Sequence, residues 1–161
     1  MGMHPYDFYT AFVEENYHDF YNEPDNVRKG INAAVSAFHM SDQYFNYFKK
    51  NDPNKISRFK DRTDFLKYLA KESKYFNDIQ SIANAYKHLY LNSSLSHVSI
   101  ASTGCIEKIE FEKDGITVDG CSQDDDGKFV VIYTTKISQK IKLLEALKDV
   151  ISMWSRILYS T

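Results

Sequence analysis

Asn84 and His88 stand four residues apart within the stretch 81–88, SIANAYKH, which we expect to be helical. Residues at this spacing lie on one face of a helix, and an imidazole there can act as a general acid or base near neutral pH. Asn77 and Ser81 fall on the same stripe. The stripe can form hydrogen bonds but carries no fixed charge, so we expect it to line a cleft or a symmetric dimer interface. The alternative is an exposed histidine on a polar helix face.

A second polar group interrupts the apolar stripe of an earlier helix, where Asp42 lies between Phe38 and Phe45 and close to His39. Burying a carboxylate without a partner costs several kcal/mol, so we expect Asp42 to be largely buried and hydrogen-bonded. It either locks helix packing or belongs to a polar centre shared with the helix of the first motif. The candidate catalytic residues are His88, Asn84, His39 and Asp42.

Charge is unevenly distributed along the chain, although the net charge is only −2. Residues 1–26 hold six acids and no Lys or Arg, whereas residues 49–74 hold nine bases against four acids. The basic segment could bind nucleic-acid phosphates or pair with the acidic segment of its own chain. The candidate nucleic-acid-binding residues are Lys55, Arg58, Lys60 and Arg62.

Several classes of protein are disfavoured by what the sequence lacks. There is no run of about 18 apolar residues, so we expect no membrane span, and the first residues lack the pattern of a signal peptide. Cys105 and Cys121 show no paired spacing typical of zinc sites. The run 124–126 places three Asp consecutively rather than at the alternate positions of a calcium loop. We expect a cytoplasmic protein with reduced thiols and neither a metal nor a cofactor.

Hydrophobic periodicity predicts a predominantly helical chain in its first half. Helices are expected at about 6–21 and 26–50, and the region 63–91 is either one kinked helix or two. Residues 92–104 are small and polar, which indicates a loop or a weak edge strand.

The remaining residues predict a small antiparallel sheet followed by a helix. The Asp114-Gly115 pair indicates a tight hairpin with Gly115 at positive φ, and residues 124–127 indicate a second turn. We therefore predict a single domain over 1–161 of the α+β class, predominantly α. Its expected parts are a helical bundle (6–92), a three-stranded β-meander (105–134) and a long C-terminal helix (137–159) that packs on the bundle.

The pair Asn84-x-x-x-His88 resembles the Arg-Asn-x-x-x-His motif of the HEPN superfamily, an all-helical group that includes toxin and antiviral ribonucleases. Asn84 and His88 match the motif, whereas Ala83 occupies the Arg position. The resemblance covers the helices from about 26 to 91. It implies a homodimer whose interface forms a cleft for metal-independent RNA cleavage. A methyl group cannot replace the phosphate contacts of a guanidinium, so we expect little or no cleavage.

Two hypotheses of function follow. The first is a HEPN-like helical protein that binds RNA or a nucleotide and that, if it is an enzyme, acts as a metal-independent endoribonuclease. The second is a non-catalytic protein–protein interaction or dimerisation module. The order of helices, sheet and terminal helix is also similar to that of small proteins from bacteria and their phages, a likeness that implies no activity.

Overall fold

The computed structural model describes residues 2–91, 98–100, 108–111, 115–134 and 137–160, and the side chains of 88–91, 98–100, 111, 134 and 137–139 lie outside this description. Six α-helices, a π-helical turn and a 3₁₀ turn are formed by the described residues. The helical elements are α1 (Pro5–Phe8), the π turn (Tyr9–Glu14), α2 (Glu15–Asn22), α3 (Val27–Asn51), the 3₁₀ turn (Pro53–Ile56), α4 (Arg62–Glu72), α5 (Phe76–Leu91) and α6 (Leu143–Tyr159). The strands are β1 (Val98–Ile100), β2 (Lys108–Phe111), β3 (Ile116–Asp124), β4 (Gly127–Thr134) and β5 (Ile137–Lys142).

Side-chain caps fix where the central helices begin. The Asn26 carboxamide oxygen accepts the Lys29 amide at 3.1 Å and starts α3. The Asp61 carboxylate accepts the Asp64 amide at 2.9 Å and starts α4. Such caps satisfy N–H groups that have no partner inside the helix. The region 63–91 is two helices, since α4 ends at Glu72 and α5 begins at Phe76.

The α+β class and the antiparallel sheet are confirmed, but the expected number of three strands is wrong. The described residues form a five-stranded sheet in the order β1-β2-β3-β4-β5, with every neighbouring pair antiparallel. It extends beyond 105–134 on both sides because β1 lies within the region 92–104 and β5 begins at Ile137.

The C-terminal helix begins later than predicted, at Leu143 instead of residue 137. Ile137 and Ile141 are four apart, which suits one face of a helix, but they are also an even number of positions apart, which suits one face of a strand. Strand pairing decides the outcome, since Ile141 lies opposite Ile132 and Lys142 lies opposite Val131.

Glycine takes positive φ at both predicted hairpin turns. Gly115 has φ of 60° and Gly127 has φ of 109°. Asp124 pairs with Gly127, and its carboxylate accepts the Asp126 amide at 2.8 Å. Phe111 pairs with Ile116, so the first connection is residues 112–115, longer than a two-residue turn, and its positions 112–114 lie outside the described residues.

One apolar core joins the helices to the sheet, and α3 runs through it. The backbone N–H of Val130 in β4 donates to the carbonyl of Pro24 before α3, at 2.7 Å. Gly30 permits a close approach, because a Cβ at this position would lie 2.7 Å from Leu143 Cδ2 and 3.1 Å from the Phe20 ring. The indole of Trp154 is fully buried, and its Nε1–H donates to the Ala37 carbonyl at 2.9 Å. The helix α6 is therefore fixed to the middle of α3 by both packing and a hydrogen bond.

Replacing Trp154 with Phe should lower the free energy of unfolding by about 2–4 kcal/mol, because it removes buried volume and the indole hydrogen bond. Urea denaturation followed by circular dichroism measures this change. Phe12 is 46% exposed, so Phe12→Leu serves as the control and should change stability by less than about 0.5 kcal/mol. Equal effects of the two substitutions would contradict the central role of Trp154.

Candidate nucleic-acid interface

The break between α4 and α5 is held by side chains of α6. The Asp149 carboxylate accepts the Ser73 hydroxyl at 2.5 Å and the Tyr75 backbone N–H at 3.3 Å. Arg156 donates to the carbonyl of Glu72 at 3.0 Å, at the carboxyl end of α4. These bonds fix the angle between α4 and α5, the helix that carries Asn84.

His39 and Asp42 line a groove on α3 with a volume of about 590 Å³. The expectation that Asp42 is largely buried is wrong, because its side chain is 38% exposed. Phe38, Ser41 and Phe45 form the buried face of α3, and Asp42 lies at the edge of that face. The full lining is Gly2, Phe8, His39, Asp42, Gln43, Asn46, Tyr47, Lys50 and Asn51.

Asp42 has the hydrogen-bonded partner that the sequence predicted. The partner is Arg62, the first residue of α4, whose Nε–H donates to Asp42 Oδ1. The side chain of Arg62 is 42% exposed and that of Asp42 is 38% exposed, so water screens their attraction. This pair brings a predicted catalytic residue and a predicted nucleic-acid-binding residue together at one edge of the groove.

The half-exposed pair should contribute little to stability. Asp42→Asn and Arg62→Gln should each lower the free energy of unfolding by less than about 1 kcal/mol, with a coupling of about 0.2–1 kcal/mol between them. A double-mutant cycle by urea denaturation at low and high salt measures this coupling, with Lys148→Gln on the exposed face of α6 as the control. A coupling of about 3 kcal/mol or more would require a buried pair instead.

Cations of the basic segment lie over aromatic rings. Lys55 Nζ is 4.9 Å from the centre of the Phe48 ring. The guanidinium of Arg58 is 4.7 Å from the Phe59 ring and 4.5 Å from the Tyr68 ring. Burial raises the pKa of the Tyr44 hydroxyl, and the positive charge of Arg58 opposes that rise. The result is a surface that combines exposed cations with half-buried rings. We call it the cation–aromatic ridge, and it comprises Lys55, Arg58, Phe59 and Tyr68.

The acidic N-terminal segment does not neutralise this ridge. Within the part of the chain that the structure describes, the ion pairs are Lys29–Glu23, Arg62–Asp42, Lys108–Glu110 and Lys142–Asp124. None of these joins residues 1–26 to residues 49–74. Lys60 is exposed, and its backbone N–H donates to the Asp64 carboxylate at 3.1 Å. The intramolecular pairing that the sequence left open is therefore not observed among the described side chains.

The described side chains of the polar stripe of α5 differ in their exposure. Asn77 is exposed and lines a groove between α4 and α5, whereas Ser81 and Asn84 are half-buried. The Ser81 hydroxyl donates to the Asn77 carbonyl at 2.9 Å, which satisfies it within the helix. The side chain of His88 lies outside the described residues.

Of the predicted catalytic residues whose side chains the structure describes, His39 and Asp42 share a groove. Asn84 is absent from the lining of the groove that contains His39 and Asp42. Ala83, which occupies the position of the family Arg, is 4% exposed and belongs to the apolar core.

Sequence reasoning missed the groove between α4 and α5. It has a volume of about 540 Å³, and its lining is Thr63, Asp64, Leu66, Lys67, Tyr68, Ala70, Lys71, Asn77 and Gln80. Lys67 and Lys71 are four apart, a spacing that places them on one face of a helix. That spacing was the available signal, but the partner helix of this face is visible only in the fold.

Comparison with family models, with curated proteins and with solved structures gave no match. Across the described ranges, no helix combines the length and the apolar character that crossing a membrane requires. In the same residues, His, Cys, Asp and Glu side chains do not gather in a group of three or more that could hold a metal ion.

A further carboxyl lies in a cavity of about 500 Å³ where α5 meets β5 and α6. Burial raises the pKa of Asp78. The described side chains that line this cavity with Asp78 are Lys74, Tyr75, Lys140, Ile141, Lys142 and Glu145. Since burial disfavours the ionised carboxylate, the fold is less stable at neutral pH, where Asp78 is ionised, than it would be with this carboxyl protonated.

Asp78→Asn should therefore raise the free energy of unfolding at pH 7. As pH falls into the range between the raised pKa and the ordinary Asp pKa of about 3.9, the folded wild type takes up a proton first and its disadvantage shrinks. Below the ordinary pKa, both states are protonated and the two proteins should be equally stable. Urea denaturation between pH 3.5 and pH 7 tests this, with the exposed Asp19→Asn as control. A difference that is independent of pH would contradict the assignment.

Proposed function

We propose that this chain is a HEPN-like helical protein that binds RNA or a nucleotide and cleaves RNA weakly or not at all. The observation that carries the proposal is the cation–aromatic ridge, with Arg58 over the rings of Phe59 and Tyr68 and Lys55 over Phe48. Proteins that bind single-stranded nucleic acids combine cations that follow the phosphates with aromatic side chains on which bases stack.

The electrostatics of the surface favour an anionic ligand. Lys55, Arg58 and Lys60 are exposed, and no described ion pair links them to acids of their own chain. Cations that remain unpaired can release counterions from a phosphate backbone, which makes binding depend steeply on salt. Arg62 is held by Asp42, and it would contribute to binding only if its remaining N–H groups reached the ligand.

The expectation of weak cleavage is supported by the burial of Ala83. An Arg at this position would have to place its guanidinium inside the apolar core, where an unpaired charge is costly. Ala83→Arg should therefore destabilise the protein instead of restoring the phosphate contact of the family motif. His88 remains the proposed acid or base for any residual cleavage, with Asn84 beside it in the motif.

The alternative function is a non-catalytic interaction or dimerisation module, and one observation favours it. Phe12 and Tyr21 are 46% and 59% exposed on the acidic N-terminal helices. Exposed aromatic residues of this size are common at protein interfaces. Sedimentation of wild type and Phe12→Ser over a range of concentrations tests whether this aromatic surface joins two copies of the chain.

The ridge is tested by fluorescence anisotropy with a labelled 12-nucleotide RNA of mixed sequence. The triple variant Lys55→Glu/Arg58→Glu/Lys60→Glu should bind about tenfold or more weakly than wild type, and its affinity should depend less on salt. Lys148→Glu is the control, since it makes one Lys-to-Glu change, a third of the charge change of the triple variant, on the exposed face of α6. It should bind like wild type at matched salt apart from a small long-range effect.

Cleavage is assayed on the same RNA with wild type, His88→Ala and Ala83→Arg side by side. Any wild-type cleavage should fall by about 100-fold in His88→Ala if the imidazole is the acid or base. Ala83→Arg should unfold at a lower urea concentration and cleave no faster. If none of the proteins binds RNA at low salt, the RNA proposal fails and the interaction module remains.

A further inference from the structure

The groove between α4 and α5 combines the three kinds of contact that a nucleotide requires: positive charge, hydrogen-bonding groups and an apolar surface for a planar ring. Its volume of about 540 Å³ falls in the range of ligand sites, which is roughly 300–1,000 Å³. The side of α4 contributes Lys67 and Lys71, the side of α5 contributes Asn77 and Gln80, and Tyr68 lies between the groove and the ridge.

The two lysines supply the positive charge of the groove. Lys67 and Lys71 are exposed, and none of the ion pairs found among the described residues involves them. Among the described lining residues Asp64 is the one acid, and its carboxylate accepts the backbone N–H of Lys60. The charge balance of the lining is therefore positive by one, which favours an anionic ligand.

The two amides supply hydrogen-bonding groups of both kinds. Asn77 and Gln80 are three residues apart on α5, so they lie on neighbouring positions of one helix face. The described hydrogen bonds include the backbone carbonyl of Asn77 but neither of the two side-chain amides. Each amide therefore keeps both a donor and an acceptor for a ligand.

The groove also has an apolar part on which a planar ring can lie. Leu66 and Ala70 are half-buried and pack against the core, and both line the groove. The ring of Tyr68 is held in place because the guanidinium of Arg58 lies 4.5 Å from its centre. A held ring adds stacking area at a small cost in side-chain entropy.

We infer that this groove binds an unpaired adenine and its adjacent phosphates within single-stranded RNA. The inference rests on the proposed function and names its substrate class. A side-chain amide can form two hydrogen bonds with the N6 and N7 atoms of adenine. In an A-form duplex these atoms lie in a deep, narrow groove that side chains cannot enter, so the base must be unpaired. Lys67 and Lys71 contact phosphates, which carry charge but no sequence information.

The test compares three labelled RNAs by fluorescence anisotropy, using the full chain: oligo(A) of 12 nucleotides, oligo(U) of 12 nucleotides and a 12-base-pair duplex. Wild type should bind oligo(A) more tightly than oligo(U), and the duplex least tightly. Asn77→Ala/Gln80→Ala should lose about tenfold in affinity for oligo(A) and little for oligo(U). The exposed amide variant Gln123→Ala, on the β3–β4 hairpin, is the matched control and should behave like wild type.

The lysines are tested separately by the dependence of affinity on salt. Lys67→Gln/Lys71→Gln should weaken oligo(A) and oligo(U) by the same factor and reduce the slope of log affinity against log salt by about 0.7 for each lysine. Lys148→Gln should leave the slope unchanged. All the substituted positions are exposed or half-exposed, and urea denaturation of each variant verifies its fold.

The outcomes separate this inference from the broader proposal. Equal binding of oligo(A) and oligo(U) by wild type overturns the inference, as does an unchanged preference in Asn77→Ala/Gln80→Ala or equally tight binding of the duplex. In each of these cases RNA binding through the ridge stands. If wild type binds none of the three RNAs at low salt, the proposed function fails and the adenine site fails with it.

Discussion

The hydrogen bond from Trp154 to the Ala37 carbonyl lies where α6 crosses the centre of α3, and the geometry of the proposed interface depends on that crossing. With the indole buried at this point, α6 presents Asp149 and Arg156 to the end of α4 and the start of α5. The angle between these two helices determines the groove that they enclose. A surface built by residues 53–80 is thus positioned by contacts more than 70 residues further along the chain.

The separation of charge has a physical cost and a physical use. Like charges within the acidic segment and within the basic segment repel one another, and the described ion pairs do not offset this by joining the two. Such a distribution creates an oriented electric field around the molecule, which attracts a charged ligand and turns it before contact. At physiological salt such a field acts over about 8 Å, so under the proposed function it would act only in the last steps of an encounter with RNA.

Local patterns predicted most elements, and pairing between distant segments explains what they missed. The periodicity of apolar residues located α3, and Gly115 and Gly127 marked the two turns. Helical periodicity and turn conformation depend only on neighbouring residues, so a single sequence shows them. The start of α6 was misplaced because Ile137 and Ile141 fit a helix and a strand equally well until β4 lies beside them. The sequence predicted a hydrogen-bond partner for Asp42 but not its exposure, because that exposure depends on where α4 begins. Asn84 and His39 lie on different helices, so whether they share a site depends on how those helices pack. No single stretch of sequence determines that packing.

The π-helical turn at Tyr9–Glu14 reconciles the N-terminal helices with the core. Pro5, Tyr9, Val13 and Tyr17 face inward at every fourth residue, and on an ideal α-helix this spacing would rotate the inward face by about 40° per step. The wider turn absorbs the rotation and keeps these side chains aligned. A π turn of this kind corresponds to one extra residue within a helix. Without that residue, the inward positions would recur at alternating intervals of four and three, the spacing that keeps side chains on one face of a regular α-helix. The π turn therefore marks the place where this helix accommodates an added residue without moving its ends relative to the core.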